Sequence, residues 1–394
     1  MPATAAVSAP AVERLRANFP ALSGPTTRLD GPAGSQIPRQ VIESMAGYLA
    51  TSPANLGGVF SESLAATQLV QQARVRCAAF FGTADSAEVG FGLNASSVNA
   101  TMVADAAACM SVGDEVVVSA LDHDASVLPW RRAAAERGLI LRTVRLAEDG
   151  RLNMDHLRAV INRRTRVVAL PYAANATGTA VDIAEVTRLA HAAGALAWLD
   201  ATHIAPHEPL RVRELEVDVA FCSAYKFFGP HLGLYYARRE LTAGWSHRAL
   251  GNGIESGTPP LESLAGLVAT FDYLDETGWG LIASHEHALG EQFLEGLPEA
   301  WRLIGLPTMD GRTPTFALTL PGSHPIDLAR ALARRGIAVG AGTFHAPTLF
   351  DALGLRDGAV RIGFLHYNTD AEVDAALKAL ADLADLADLA DLVD

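Results

Sequence analysis

Residues 222–233, CSAYKFFGPHLG, set an ammonium, Lys226, between the rings of Tyr225 and Phe227, just ahead of a Gly-Pro pair that no helix continues through. A lysine in so apolar a stretch either snorkels its head to water or is kept neutral, or covalently held, for chemistry. Asp200 closes the run ALAWLD. A carboxylate there either meets a ligand beyond the carboxyl end of a strand or caps the following helix. GFGLNASSVNA (90–100) passes from a strand through a polar turn into a helix. Its free N–H groups and the hydroxyls of Ser96 and Ser97 suit an anion such as a phosphate, or form an ordinary capped helix. The P-loop lysine and the GxGxxG spacing are both missing. LDHDASVLPW (121–130) groups Asp122, His123 and Asp124 without an HxxxH or HExxH pattern. His203 and His207 in DATHIAPH have helical spacing, but Pro206 lies between them, so no metal site is expected. Arg361, in AVRIGFLHYNT, suits bidentate binding of a carboxylate, or a surface ion pair.

The elements that must position these groups alternate. Strands are predicted at AEVGFG (87–92), DEVVVSA (114–120), LILRTV (139–144), RVVALP (166–171), ALAWLD (195–200), VDVAFC (217–222) and LGLYYA (232–237). Amphipathic segments such as SVLPWRRAAAERG and IAEVTRLAHAAG separate most of them. This alternation predicts an α/β fold with a mainly parallel sheet, and the continuously apolar strands predict burial on both faces. After about residue 260, two helical stretches, LESLAGLVATFDYLDE and HEHALGEQFLEGL, lead into the shorter strands PTFALTL and AVRIGF, a smaller α+β domain. The expected division is residues 1–28 as an N-terminal segment packing on the smaller domain, 29–260 as the large domain and 261–394 as the smaller one. The tail from about 381 to 394 repeats every three residues. Leucines at that spacing drift around a helix that turns every 3.6 residues, so the tail is read as an extension of the last helix that frays.

With 31 basic and 44 acidic residues the net charge is −13, which argues against nucleic acid or an anionic membrane as the main partner but leaves room for a local anion pocket. Cys77, Cys109 and Cys222 are too few and too scattered for a disulfide framework or a zinc site, and fit a reducing cytoplasm. No run is apolar enough to span a bilayer, and the first residues lack the features of a signal peptide.

Taken in order, these segments resemble pyridoxal-phosphate enzymes of the class V aminotransferase family, in its cysteine-desulfurase-like branch. The resemblance runs from RLDGPAGSQIP (28–38) to VRIGFLHYNTDAEV (360–373). SAYKFFGPHLG is its most specific part, and LDHDASVLPW, NATGT and ESGTPP follow the family's order. It implies fold type I, aspartate aminotransferase-like, with pyridoxal 5′-phosphate as cofactor. It implies that Lys226 forms the internal aldimine and moves protons at Cα, that Asp200 pairs with the pyridinium nitrogen, and that His123 stacks on the ring and takes part in proton transfer. Asn175 and His203 would hydrogen-bond the phenolic oxygen. Asn94, Ala95 and Ser96, with Ser223 and Tyr225, would hold the phosphate. Thr258 would reach the phosphate of a partner subunit, which implies a homodimer with shared sites. Arg361 would bind the substrate α-carboxylate, with His345 also facing the substrate.

Two departures stand out. Family desulfurases carry a histidine at the place of Tyr225 and a glutamine at that of His203; both replacements still hydrogen-bond. They also place a nucleophilic cysteine on a loop matching AVGAGTFHAPTLF (338–350), where this chain has His345. No cysteine follows Cys222, and a persulfide relay needs a thiolate in that mobile position. Cys222 itself is expected to be packed. The leading expectation is therefore a C–S lyase or desulfurase-like reaction on an amino acid, without a cysteine persulfide relay. The alternatives are an aminotransferase, an epimerase, a decarboxylating carbon–carbon bond-forming enzyme and a catalytically inactive cofactor-binding relative. A nucleotide-binding α/β enzyme is disfavoured by the missing glycine fingerprints. Substrate choice is assigned to the loops around 252–258, 340–350 and 53–61.

Overall fold

A computed structural model describes residues 9–51, 53–242, 245, 255 and 257–391. All seven strands expected in the large sheet form. From one edge their order is Val89–Gly92, Gly233–Ala237, Val219–Ser223, Leu196–Asp200, Thr165–Pro171, Glu115–Ser119 and Ile140–Val144. Gly233–Ala237 pairs antiparallel with both of its neighbours, and every other pairing is parallel. Glu115–Ser119, Val219–Ser223 and Gly233–Ala237 are buried at every position. Their Val, Ala, Phe and Tyr side chains meet helices on both faces, as a parallel sheet requires.

This topology brings the polar segments together. Gly92, Ser119, Pro171, Asp200 and Ser223 all end strands that run in the same direction, so the segments that follow them emerge along one edge of the sheet. The reversed strand delivers its start to the same edge, since Gly233 pairs with both Gly92 and Ser223. Glycine is needed there because a Cβ on Gly233 would stand 2.4 Å from the Asn94 carbonyl carbon.

A second, wholly antiparallel sheet runs Gly340–Gly342, Ala359–Gly363, Thr315–Thr319, Arg302–Ile304. Its core gathers Phe293, Phe316, Phe364 and Leu380. Residues 27–30 are laced into this part of the chain. Thr27 and Arg28 pair in parallel with Ile337 and Ala338, and the Gly363 N–H donates to the Leu29 carbonyl at 2.9 Å. The N-terminal helix Ala9–Arg16 reaches the same region through Arg16, which donates to the Tyr367 carbonyl at 3.0 Å and pairs with Glu372 at 2.8 Å.

The helix Asp370–Asp391 takes up much of the repeating tail. Leu380 and Leu383 are buried while Leu386 is 55% exposed, so the drift expected of a three-residue repeat is visible in the structure. No helix among the described residues is long and apolar enough to cross a membrane.

Candidate active site

A cavity of about 850 Å³ lies where the strand ends of the large sheet meet the antiparallel sheet. Asn94, Ala95, Ser96, His123, Asn175, Asp200, His203, Ser223, Tyr225, Lys226, His345 and Arg361 all line it. Twelve residues drawn from segments far apart in sequence therefore converge on one space.

Lys226 ends a single 3₁₀ turn, Ala224–Lys226, that begins as the strand Val219–Ser223 finishes. Its Nζ donates to the carbonyls of Pro32 at 2.7 Å and Ala33 at 3.0 Å. Burial pushes its pKa down to about 7, Arg361 pushes the same way, and Asp200 opposes them. A neutral amine has two N–H bonds, enough for both carbonyls, and keeps a lone pair for chemistry. The segment that supplies those carbonyls is itself pinned. Ser35 Oγ donates to the Tyr225 carbonyl at 3.0 Å and accepts from the Phe228 N–H at 2.7 Å. Gly34 lets the Tyr225 ring approach, since a Cβ there would stand 3.1 Å from it.

Asp200 sits at the carboxyl end of its strand with both oxygens oriented. Oδ2 accepts from Ser126 Oγ at 2.5 Å and Oδ1 from the Thr202 N–H at 2.9 Å. No helix follows for Asp200 to cap; its bond to the Thr202 N–H closes a turn, and the carboxylate faces the cavity. His123 caps the helix Asp124–Arg137, its Nδ1 accepting from the Ala125 N–H at 2.9 Å. That bond needs Nδ1 unprotonated, and burial depresses the ring's pKa, so the ring is neutral with its proton on Nε2. Asp122 does not share the site. It turns inward and accepts from the Ser119 N–H at 2.6 Å and Ser119 Oγ at 2.8 Å.

The helix Ala95–Ala108 opens on a reciprocal cap, Asn94 Oδ1 accepting from the Ser97 N–H while Ser97 Oγ bonds the Asn94 backbone. This corrects the expectation for Ser97, whose hydroxyl is spent on the cap. The Ala95 N–H donates to Ser223 Oγ at 2.8 Å, and the Ser96 N–H has no partner among the described residues. Tyr225 stacks on His231, ring centroids 5.0 Å apart, a cavity residue that sequence reasoning passed over although it stands in the lysine motif.

His203 is buried, bonds Thr313 Oγ1 at 3.1 Å, and is kept neutral chiefly by burial. His203 and His207 lie in a turn, not on a helix, and His207 pairs with Glu286 at 2.6 Å. Asn175 lines the cavity and also holds the facing turn. Its Nδ2 donates to the Phe344 carbonyl at 2.8 Å, leaving Oδ1 buried without a partner. Arg361 is buried, its guanidinium pulled down to about 10 by desolvation; Nη1 donates to the Asn175 carbonyl at 2.7 Å and the group lies 4.3 Å from the Phe344 ring centre. The surface ion-pair reading of Arg361 is thereby overturned.

Thr258 is elsewhere. It lines a second cavity of about 870 Å³ with Asn55, Leu56, Arg74 and Glu255. The 53–61 loop faces that cavity too, through Asn55 and Leu56. Of the expected specificity loop 252–258, residues 252–254 and 256 lie outside the described residues.

The family profile Aminotransferase class-V matches residues 27–376. The chain belongs to the class-V aminotransferase family. A probable cysteine desulfurase of Streptomyces coelicolor is 33% identical over 402 residues, covering 93% of this chain and 96% of that protein. The apo cysteine desulfurase from Thermococcus onnurineus NA1 superposes with a TM-score of 0.91 at 27% identity, over 97% of this chain and 100% of that one. The cysteine desulfurase CsdA from Escherichia coli gives 0.85 at 26% identity, over 95% and 98%. The fold is thus fold type I, and the protein is a cysteine-desulfurase-like enzyme of a pyridoxal-phosphate-dependent family. Within this family member, Cys222 is fully buried and burial drives its thiol well above the ordinary range, which leaves it inert.

Proposed function

We propose that this enzyme is a pyridoxal 5′-phosphate-dependent lyase that cleaves the bond between Cβ of an amino acid and a sulfur substituent, without passing the sulfur to a cysteine of its own. The observation that carries this reading is the near-neutral amine of Lys226 in a cavity whose facing turn presents His345 and no thiol.

The donor set fits the cofactor. The Ser96 N–H, the helix start, Ser223 and Tyr225 suit its phosphate. The oriented carboxylate of Asp200 suits a protonated ring nitrogen, and the neutral ring of His123 suits stacking. His203 and the second N–H of the Asn175 amide suit the ring's phenolic oxygen. Bound there, the cofactor supplies an electron sink for charge left at the substrate Cα.

The chain's own residues do the rest. Arg361 anchors the α-carboxylate; its planar fork pairs two carboxylate oxygens at once. Lys226 takes the Cα proton, a role that requires a free amine near neutral pH. Asp200 stands beside it, held in place by Ser126 and the Thr202 N–H. We assign these roles to residues 29–260 with Arg361 and His345 from the smaller domain, in a cytoplasmic homodimer where Thr258 faces the neighbouring site.

The test is a substrate panel of S-alkyl cysteines, cysteine, aspartate and ordinary amino acids. Pyruvate released together with a thiol supports the lyase. A keto acid matching the substrate, with no thiol, means transamination and sinks the proposal.

A further inference from the structure

We propose that His345 is the proton donor to the departing sulfur, an inference that rests on the elimination reading above. It sits on the turn between the strand Gly340–Gly342 and the helix Pro347–Ala352, closed by the Ala346 N–H donating to the Thr343 carbonyl at 2.8 Å. Phe344 and His345 both adopt left-handed backbone, with φ of 54° and 56°. Each costs roughly 1–2 kcal/mol in a residue with a side chain. Such a pair persists only where the surroundings over-determine it, and strain of this kind gathers at functional sites.

Three anchors do so. The Phe344 carbonyl accepts from Asn175 Nδ2 at 2.8 Å, and the His345 carbonyl accepts from the Asp124 N–H at 2.6 Å. The Phe344 ring lies 4.3 Å from the Arg361 guanidinium. All three come from segments that also line the cavity or adjoin His123. The turn is therefore fixed to the site, and a side chain at position 345 acts in place.

That side chain is an imidazole whose ring centre lies 5.2 Å from that of His123. The other imidazoles around the cavity have fixed contacts of their own. His123 Nδ1 caps a helix, His203 is buried against Thr313, and His231 stacks on Tyr225 beside the helix start. His345 is exposed, lines the cavity and directly follows Phe344, whose ring lies against Arg361. Exposure lets it recover a proton from water after each turnover.

The step balances without an oxidant or reductant. Lys226 takes the Cα proton, the electron pair left at Cα forms the Cα–Cβ double bond, and the Cβ–S bond breaks with its pair on sulfur. The imidazolium N–H of His345 supplies the proton that turns thiolate into thiol. Water then hydrolyses the released aminoacrylate to pyruvate and ammonia.

The test compares two substrates in the cofactor-loaded enzyme. S-ethyl-L-cysteine loses a basic thiolate that needs a proton; β-chloro-L-alanine loses chloride, which does not. His345→Asn preserves the turn, because Asn tolerates left-handed backbone, and His345→Gly relieves it altogether. In both variants kcat/KM for the thioether falls about 100-fold or more, and for the chloride substrate by less than about 3-fold, the span expected of a lost general acid. A second readout needs no turnover. The His345 ring ¹⁵N resonances, assigned by their loss in the Asn variant, shift when 3-(ethylthio)propionate is added. Equal losses on both substrates, no loss on either, or an unmoved resonance overturns the proton donor and leaves elimination standing. No pyruvate from either substrate with the unaltered enzyme overturns elimination itself.

Discussion

Lys226 captures an aldehyde only as a free amine, so its depressed pKa sets a measurable rate. With a pKa of about 7 the group is about three-quarters free at pH 7.5, against about 0.1% for an ordinary lysine, a ratio of roughly 600. Uptake of pyridoxal phosphate by the cofactor-free protein, followed by absorbance, therefore rises about tenfold per pH unit below 7 and levels off above it. Arg361→Gln removes a charge that lowers the pKa and moves the break to higher pH; Asp200→Asn removes one that raises it and moves the break lower. A rate still climbing tenfold per unit at pH 9 refutes the reasoning. Stability follows the same displacement. Between pH 7 and 10.5 the unfolded chain holds one proton more than the folded one, so stability rises with pH across that window. Below it the deficit is constant, at most about 5 kcal/mol, and it is reduced by about 2 kcal/mol for the two hydrogen bonds to Pro32 and Ala33. Lys226→Met should thus stabilise the cofactor-free protein against heat at pH 7 and lose most of that advantage at pH 10.5. A lower unfolding temperature at pH 7 than the parent's contradicts the buried, neutral amine.

Arg361→Gln should lower kcat/KM by roughly 30- to 1,000-fold, the equivalent of about 2–4 kcal/mol for a lost carboxylate fork, while cofactor affinity, read by absorbance titration, changes little. A comparable loss of cofactor would show the arginine to be misplaced. Gly233→Ala should weaken cofactor binding, because the new Cβ meets the Asn94 carbonyl carbon at 2.4 Å and displaces the start of the phosphate helix; unchanged affinity would detach that turn from the phosphate. Arg312 serves a structural need, donating to the carbonyls of Thr177, Leu306 and Thr315 from a site where burial pulls it down to about 9. Arg312→Met should cost about 3 kcal/mol or more in urea unfolding, since three buried carbonyls lose their donor; a cost under about 1 kcal/mol would mean that water replaces it.

The large sheet was legible because its strands are buried on both faces, which makes them continuous apolar runs, and because parallel strands release their polar successors along one edge. That geometry alone places Asn94, His123, Asn175, Asp200 and Lys226 around one cavity. What sequence patterns do not encode is how elements from the antiparallel sheet lean onto that edge. Ser35 was not singled out, although it bonds both sides of the lysine turn. Ser126 was not singled out either, yet it orients Asp200 at 2.5 Å. Asn175 was read only as a cofactor contact, and its amide also holds Phe344. The turn at 343–346 is the sharpest case. Left-handed backbone normally advertises itself through glycine or asparagine, but Phe344 and His345 are neither. Their conformation comes from Asn175, Asp124 and Arg361, the first of them 169 positions from Phe344 and the second farther still from His345. Under the proposed elimination, the imidazole at position 345 thus stands on a turn that the rest of the site holds. A group carried on so short and anchored a turn is suited to moving a proton at one spot.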